Sequence, residues 1–371
     1  MCSVPVILKS LTLRNFKSYA SETFSFHDRF NLILGENAQG KTNLLEAIHF
    51  LLAFRPFKQL RTEEIIRFGS SECGLKGEIL SHMGFDEVHI LLNEDHKTLK
   101  LNSKIVYHTS KVYGRYNIVS FLPTDLELIK GGPQGRRRYI DALICALEGA
   151  HLRDLKLYHR ALTQRNAILA KTSAITSDKI EVWDEKLAEV GSQVISRRLE
   201  FISKIKPQLN KIYKLTSGLD QDIQIHYKSS IDLEGNLEQS FKDMLRLKFE
   251  IDKKRFHTTV GPHRDQISFS IAGKDSAVYA SQGEAKNLAL SLKTSEIEMI
   301  KQFLGRTPIL LLDDVTSELD GQRKKFLFKF LEDFPGQIFI TTTDIKEILY
   351  KGEIRVFHII DKKVRQKHIL T

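Results

Sequence analysis

Cysteine is scarce in this chain: Cys2, Cys73 and Cys145 are the only three in 371 residues, far apart and with no C-x-x-C pair. That spacing gives no disulfide framework and no zinc site, and it suits a reducing compartment. No apolar run approaches the roughly 20 residues of a membrane-spanning helix. The N-terminus lacks the charged-then-apolar layout of a secretion signal. The expectation is a cytoplasmic protein with no membrane partner. RNP motifs, zinc fingers and a recognition helix are all missing, so sequence-specific readout of nucleic acid is not suggested. Internal repeats and low-complexity stretches are missing too. Acidic residues are in deficit, with 46 Asp plus Glu against 56 Lys plus Arg, a formal charge of +10. That excess favours a polyanionic partner, nucleic acid before membrane, although a solvated basic surface would explain the charge equally well. The rest is the composition of a globular chain long enough for two or three domains.

Against these absences stands one dense motif. Gly35-Glu36-Asn37-Ala38-Gln39-Gly40-Lys41-Thr42 fits the phosphate-binding loop G-x-x-x-x-G-K-[ST]. The apolar run Phe30–Leu34 before it reads as a buried strand, and Asn43–Ile48 after it as a helix start. Gly35 and Gly40 let the backbone curl so that N–H groups point at phosphate oxygens, and the helix N-terminus adds partial positive charge. Lys41 can reach the β- and γ-phosphates, and the Thr42 hydroxyl can ligate Mg²⁺. Chance alone would produce such a match in a chain of this length on the order of 1 % of the time. The motif therefore implies binding of a nucleoside triphosphate.

The hydrophobic period changes twice along the chain. Up to about residue 127 it is strand-like, with Val88–Leu92 and Thr98–Leu101 reading as an antiparallel pair. From Arg136 apolar residues fall at helical spacing: Ile140, Leu143, Ile144 and Leu147, then Leu152, Leu155, Tyr158 and Leu162. A second series, Trp183, Leu187, Val190 and Val194, resumes at Ile202, Ile205, Leu209 and Ile212. This predicts a coiled-coil-like seam, broken or kinked near Pro207, with interruptions at Gly149 and Thr172–Asp178. After Lys254 strands return. The pattern predicts a split α/β domain, 1–127 and 256–371, carrying an inserted helical arm over 128–255.

A second acidic feature lies in the C-terminal part. Ile309-Leu310-Leu311-Leu312-Asp313-Asp314 is a buried strand ending in two carboxylates, at the edge where α/β folds bind ligands. Asp313 can hold Mg²⁺, and Asp314 can orient the attacking water or accept its proton. A capped strand end with a solvated acid pair is the plainer alternative, and the phosphate loop weighs against it. Upstream, Ala280-Ser281-Gln282-Gly283-Glu284 opens a helix, so Ser281 and Gly283 can form a second anion site. A simple helix cap explains the same residues.

The order of these motifs resembles the ATP-binding-cassette superfamily, and within it the heads of chromosome-maintenance and repair ATPases. The RecF family of bacterial recombinational-repair proteins is the most similar. The resemblance covers nearly the whole chain. It rests chiefly on Leu310–Asp314 continuing through Ser317-Glu318-Leu319-Asp320-Gly321-Gln322-Arg323, and on Pro123–Asp141. Thr259-Val260-Gly261-Pro262-His263-Arg264-Asp265 and Leu13-Arg14-Asn15-Phe16 add to it. It implies an ABC-type ATPase head with an inserted arm, binding ATP and Mg²⁺. Two copies would sandwich ATP, the phosphate loop of one facing Ser281 of the other, with Asp320 across the dimer axis. Gln39, Arg14 and Ser120–Pro123 are further expected nucleotide contacts. The implied activity is a weak DNA-stimulated ATPase in repair and replication restart, dimerising on double- and single-stranded, gapped DNA. It would assist recombinase loading together with a RecR partner. The alternative is an ABC-type transporter ATPase subunit. Two departures point to slow hydrolysis: the second carboxylate is Asp314 rather than Glu, and Thr341-Thr342-Thr343-Asp344 holds no switch histidine.

Basic residues are concentrated in the arm, where residues 136–215 hold 16 Lys/Arg against 9 Asp/Glu. Arg136, Arg137 and Arg138 are consecutive and cannot share one helix face, so at least one is expected to point outward. Arg55, Lys58 and Arg61 form another cluster. Either cluster is more often a solvated face than a binding site. The expectation for the arm as a whole is salt-dependent contact with DNA backbone.

Overall fold

The computed structural model describes residues 5–57, 61–108, 112–171 and 176–370. Lys58 and residues 172–175 lie outside them. Elements are numbered in chain order. The first part holds β1 (Ile7–Phe16), β2 (Tyr19–Ser25), β3 (Phe30–Leu34), α1 (Lys41–Ala53), α2 (Thr62–Ile65), β4 (Glu72–Ser81), β5 (Gly84–Asn93), β6 (Lys97–Leu101), β7 (Lys104–Ile105) and β8 (Ile118–Phe121). Helices dominate next: α3 (Leu126–Lys130), α4 (Pro133–Leu147), α5 (Gly149–Lys171) and α6 (Glu181–Ser217), then β9 (Ile223–Lys228) and α7 (Leu237–Arg255). There follow β10 (Gln266–Ile271), β11 (Lys274–Asp275), α8 (Ser276–Tyr279) and α9 (Gln282–Leu304). The last part holds β12 (Ile309–Leu312), α10 (Val315–Glu318), α11 (Gly321–Asp333), β13 (Ile338–Thr342), β14 (Glu353–Ile360) and β15 (Lys363–Leu370).

By its contacts the chain divides into two units, Met1–Asp125 with Leu290–Thr371, and Leu126–Ala289. In the first unit a mixed sheet runs β15-β14-β3-β13-β12-β8, parallel except for β15 at its edge. Its central strands read Phe-Asn-Leu-Ile-Leu, Ile-Leu-Leu-Leu and Ile-Phe-Ile-Thr-Thr, the near-continuous apolar runs of strands covered on both faces. A second sheet, β2-β1-β4-β5-β6-β7, is antiparallel and includes the expected pairing of β5 with β6. Its strands alternate buried and exposed residues, as Glu72–Ser81 does. Helix α1 is buried almost all round, and its Leu44, Leu45, Ile48, Phe50 and Leu51 share one core with residues of both sheets. Gly77 makes room for it, since a Cβ there would meet Leu51 Cδ2 at 2.1 Å.

The second unit packs α5, α6 and α7 around Tyr158, Leu187, Ile195, Phe241 and Leu245. Of the break or kink expected near Pro207, the break does not occur: α6 runs 37 residues from Glu181 to Ser217 with Pro207 inside it. Burial of Ile202, Ile205, Leu209, Ile212 and Tyr213 on either side of the proline outweighs the missing backbone hydrogen bond. The helical unit is also larger than the pattern predicts. Residues 256–289, which the sequence pattern places with the head, pack with the helices because β10 pairs with β9 over six registers, from Gln266↔Lys228 to Ile271↔Ile223.

Candidate nucleotide-binding site

In the mixed sheet β13 lies between β3 and β12. The loop leaving β3 and the acids ending β12 therefore emerge on the same edge, one strand apart. The loop itself is shaped by close approach. Gly40 has φ +104°, and a Cβ on it would stand 2.7 Å from Ser18 Oγ. A Cβ on Gly35 would stand 2.6 Å from the carbonyl oxygen of Ile359. Tyr19 donates its hydroxyl to the Gly40 carbonyl at 2.9 Å, and Asn43 donates to Ser18 Oγ at 2.9 Å, so β2 and the loop before it brace the turn. Glu36, Asn37 and Ala38 are exposed at the tip, with Ala38 in the left-handed region at φ +64°. Gln39 is half-buried.

The functional side chains converge behind that tip. Lys41 is buried and donates to the carbonyls of Gly35 at 2.7 Å and Glu36 at 2.9 Å. The Thr42 hydroxyl lies 3.0 and 2.9 Å from the two carboxylate oxygens of Asp313, to which it donates. Thr341, on the intervening β13, donates to Asp313 Oδ1 at 2.8 Å and accepts the Asp314 backbone N–H at 2.8 Å. Asp314 sits at φ +49°, a conformation Asp tolerates better than most residues. Its Oδ1 is buried without a hydrogen-bond partner.

Charge at the site is unbalanced in a way a nucleotide and its cation would relieve. Burial pushes the Asp313 carboxyl above the usual range, against hydrogen bonds from Thr341 and Thr42. Burial likewise raises Asp314, with Asp313 adding to the effect. Burial lowers the Lys41 ammonium, while Asp314 and Asp313 act the other way. Hydroxyl and carboxylate oxygens are the ligands Mg²⁺ prefers, and it takes only one or two from protein when phosphates supply others. The Thr42–Asp313 pair, the glycine cradle and the orphaned Asp314 oxygen all fit a magnesium–triphosphate group.

The structure thus brings together Gly35–Thr42, Asp313 and Asp314. Sequence reasoning missed Thr341, Tyr19 and Ser18 as supports. Thr341 carried a signal, a hydroxyl closing the buried apolar run Ile338-Phe339-Ile340; Tyr19 carried none beyond proximity in chain to Phe16. Arg14 is exposed on β1, paired in register with Ser21 and Gly74. Ser281 and Gly283 lie in the second unit. There Ser281 caps α9 reciprocally: its N–H and hydroxyl donate to Glu284 Oε2 at 2.8 Å each, and the Glu284 N–H donates back to Ser281 Oγ at 3.2 Å. Those bonds hold the Glu284 carboxyl below its usual range, and Ser281 remains exposed. Asp320 caps α11 by accepting the Arg323 N–H at 3.0 Å.

The arginine cluster divides. Arg136 is buried and donates to the Ile129 carbonyl at 3.1 Å, and Arg137 donates to the Asp265 carbonyl at 2.7 Å. Only Arg138 of the three is exposed. Among the described residues no helix is long and apolar enough to cross a membrane.

Known proteins match this chain over nearly its whole length. The family model described as RecF/RecN/SMC N terminal domain matches residues 7–364. The DNA replication and repair protein RecF of Agathobacter rectalis is 37 % identical over 365 residues, covering 97 % of this chain and 99 % of that one. Its counterpart from Streptococcus suis is 38 % identical over 363 residues, with the same two coverages. Among solved structures, the recombination mediator protein RecF-ATPrS of the RecFOR pathway superposes with a TM-score of 0.91 at 34 % identity, covering 99 % of this chain and 100 % of that one. The Smc head domain of Pyrococcus furiosus shares the fold at a TM-score of 0.59 and 16 % identity. The fold is that of an ABC-type ATPase head. Because identity of this order runs through both parts of that head and the helices between them, the chain belongs to the RecF family.

Proposed function

We propose that this chain is an ATP-dependent DNA-binding protein of replication and recombinational repair, which closes as a dimer around ATP. One observation carries the nucleotide site: the Thr42 hydroxyl and the Asp313 carboxylate meet within 3.0 Å behind a glycine loop that holds Lys41. Relatives named for DNA replication and repair, and a related RecF-ATP structure, support the reading. None of them supports the transporter alternative, which would also need a membrane partner.

In this reading Gly35–Gly40 cradle the phosphates through backbone N–H groups, and Lys41 leaves the loop carbonyls to pair with the β- and γ-phosphates. Thr42 and Asp313 would hold Mg²⁺, which when bound neutralises phosphate charge. Asp314 orients the attacking water or takes its proton, through the oxygen now lacking a partner. Ser281 and Gly283 of a second copy face the γ-phosphate from the other side. Double- and single-stranded, gapped DNA is the proposed substrate of the closed dimer, with a RecR-type protein as partner and recombinase loading as outcome. Hydrolysis, weak and stimulated by DNA, reopens the dimer in the cytoplasm.

Two expected results test this. Asp314→Asn should bind ATP and dimerise, with hydrolysis slowed by roughly 10²-fold, the usual worth of a positioned acid–base group. Asp313→Asn should instead weaken Mg²⁺-dependent binding. Single-turnover hydrolysis beside labelled-ATP binding separates them, and unchanged hydrolysis by Asp314→Asn would remove Asp314 from catalysis.

Ser281→Arg tests the sandwich. Ser281 is exposed at the start of α9, so a bulky cation there should leave ATP binding by the monomer nearly intact. It should block close approach to the second copy's nucleotide. Light scattering with ATP and DNA should then report only monomer, and mixing with a Lys41→Ala variant should not restore two complete sites. Wild-type assembly by Ser281→Arg would sink the dimer model.

A further inference from the structure

Ser281 is the residue that a second copy's γ-phosphate would meet, and both of its donors are already engaged. Its hydroxyl has one proton to give. That proton and the Ser281 backbone N–H both go to Glu284 Oε2, at 2.8 Å each. The Ser281 oxygen in turn accepts the Glu284 N–H at 3.2 Å. The first turn of α9 therefore carries an anion of its own. A helix N-terminus attracts negative charge through its unpaired N–H groups and aligned peptide dipoles, and here the chain's own carboxylate answers that attraction. Bonds from Ser281, with Lys130 and Lys274 adding to them, hold the Glu284 carboxyl below its usual range, so it is ionised at neutral pH.

The backbone around this clasp is fixed. Lys130, at the end of α3, donates to the carbonyls of Ala277, at 3.4 Å, and Ala280. Asp275 caps α8 by accepting the Ala277 N–H at 2.8 Å. The Ala280 N–H closes that short helix onto the Ser276 carbonyl at 3.3 Å. Behind Ser281, Ala285, Leu288 and Ala289 are buried along α9. All of these residues lie in the helical unit Leu126–Ala289. By contrast, Ser281 and Gln282 are exposed and Glu284 is half-buried. The carboxylate can leave by turning its own side chain while the backbone of the turn stays in place.

We propose that Glu284 is a tethered competitor of the γ-phosphate, an autoinhibitory carboxylate that sets how much ATP the dimer needs in order to close. The proposal rests on the sandwich reading above and concerns the regulation of that same contact. In the open protein Glu284 takes both donors of Ser281. A triphosphate arriving on the other copy must displace it, because one hydroxyl proton cannot serve two acceptors and the two anions repel. Like charges about 4 Å apart shift an equilibrium by at least roughly 5-fold even at the dielectric of water, and by more where water is excluded. A closed dimer would hold two such contacts, so the effect enters twice. A plain capping box explains the same bonds and predicts the opposite: if Glu284 only stiffens the start of α9, removing it can only harm assembly.

Glu284→Gln separates charge from cap, since the amide oxygen still accepts the Ser281 N–H while the charge is gone. The full chain is titrated with Mg²⁺–ATP in the presence of duplex DNA, with light scattering reporting assembly and circular dichroism verifying the fold. The control, Glu250→Gln, removes one negative charge at an exposed position of α7. Glu284→Gln should reach half-assembly at an ATP concentration lower than wild type by roughly 5-fold or more. The control should match wild type, and ATP binding by protein dilute enough to stay monomeric should be equal in all three. The gap between Glu284→Gln and wild type should narrow as salt rises, because screening weakens the repulsion. Glu284→Ala loses the reciprocal bond as well, so it should melt at a lower temperature and still close at lower ATP than wild type. A folded Glu284 variant that assembles at the wild-type ATP concentration, or only above it, overturns the proposal. Wild-type protein that never assembles with ATP would instead overturn the sandwich reading itself.

Discussion

Lys41→Ala is expected to abolish ATP-driven dimerisation and, with it, stable association with DNA. The ammonium is buried and held by two loop carbonyls at 2.7 and 2.9 Å, within the same constellation as Thr42 and Asp313. Moving it from those carbonyls to phosphate oxygens exchanges a neutral acceptor for a charged one, which is the source of the binding energy. The substitution removes a charge-assisted hydrogen bond worth roughly 1.5–3 kcal/mol, or roughly 10- to 150-fold in ATP affinity. The assembly feels the deficit twice, because a closed dimer would need two occupied sites. The fold should survive: α1 keeps Leu44, Leu45, Ile48 and Leu51 in the core, and a Lys-to-Ala change favours the helix. Labelled-ATP binding and light scattering on the folded variant decide the matter. Normal ATP-dependent assembly by Lys41→Ala would show that this loop is not what drives closure.

How much of this was legible in the sequence depended on whether the signal was local. The phosphate loop and the strand ending in Asp313 were readable because each is a contiguous run whose residue types the chemistry demands. Their meeting was readable only through the order of motifs, since the adjacency is made by β13, which intervenes in the sheet between β3 and β12. The role of Thr341 was hidden for the same reason: the hydroxyl closing its apolar run was in view, but its two bonds to the acidic pair are consequences of strand order, not of spacing. At Pro207 a local rule yielded to packing, as apolar burial along α6 outweighed one missing N–H. The placement of residues 256–289 failed differently. Their strand-like alternation was correct for β10, but a period says nothing about which sheet a strand joins. The arginine triplet shows the limit for charge. Helical geometry required that one of Arg136, Arg137 and Arg138 point outward, while only the carbonyls of Ile129 and Asp265 determined which two would not.

The second large effect concerns stability of the helical unit. Arg165 is fully buried, and its guanidinium donates to Asp184 at 2.5 Å, to Asp252 at 2.6 Å and to Thr258 Oγ1 at 3.0 Å. Asp252 is equally buried and also accepts the N–H and hydroxyl of Thr259 at 2.9 and 2.6 Å. One cation therefore ties α5 to α6, to α7 and to the start of the 258–265 segment. Arg165→Leu leaves Asp252 charged in a dry interior, and breaking a buried pair on one side costs about 3–5 kcal/mol. That is a large fraction of the stability of any domain. Arg165→Lys should be intermediate, because a single ammonium cannot reproduce a fork that serves both carboxylates. Adding Asp252→Asn to Arg165→Leu should recover part of the stability, since the amide oxygen still accepts from Thr259 while the stranded charge is gone. If the cost came from poorer packing alone, the second substitution would recover nothing. Urea unfolding followed by the single Trp183, which packs against the Tyr158–Phe241 core of this unit, reads all three variants directly. A destabilisation below about 1 kcal/mol in Arg165→Leu, far under the cost of a half-broken buried pair, would mean that this ion network is not what holds the helices together.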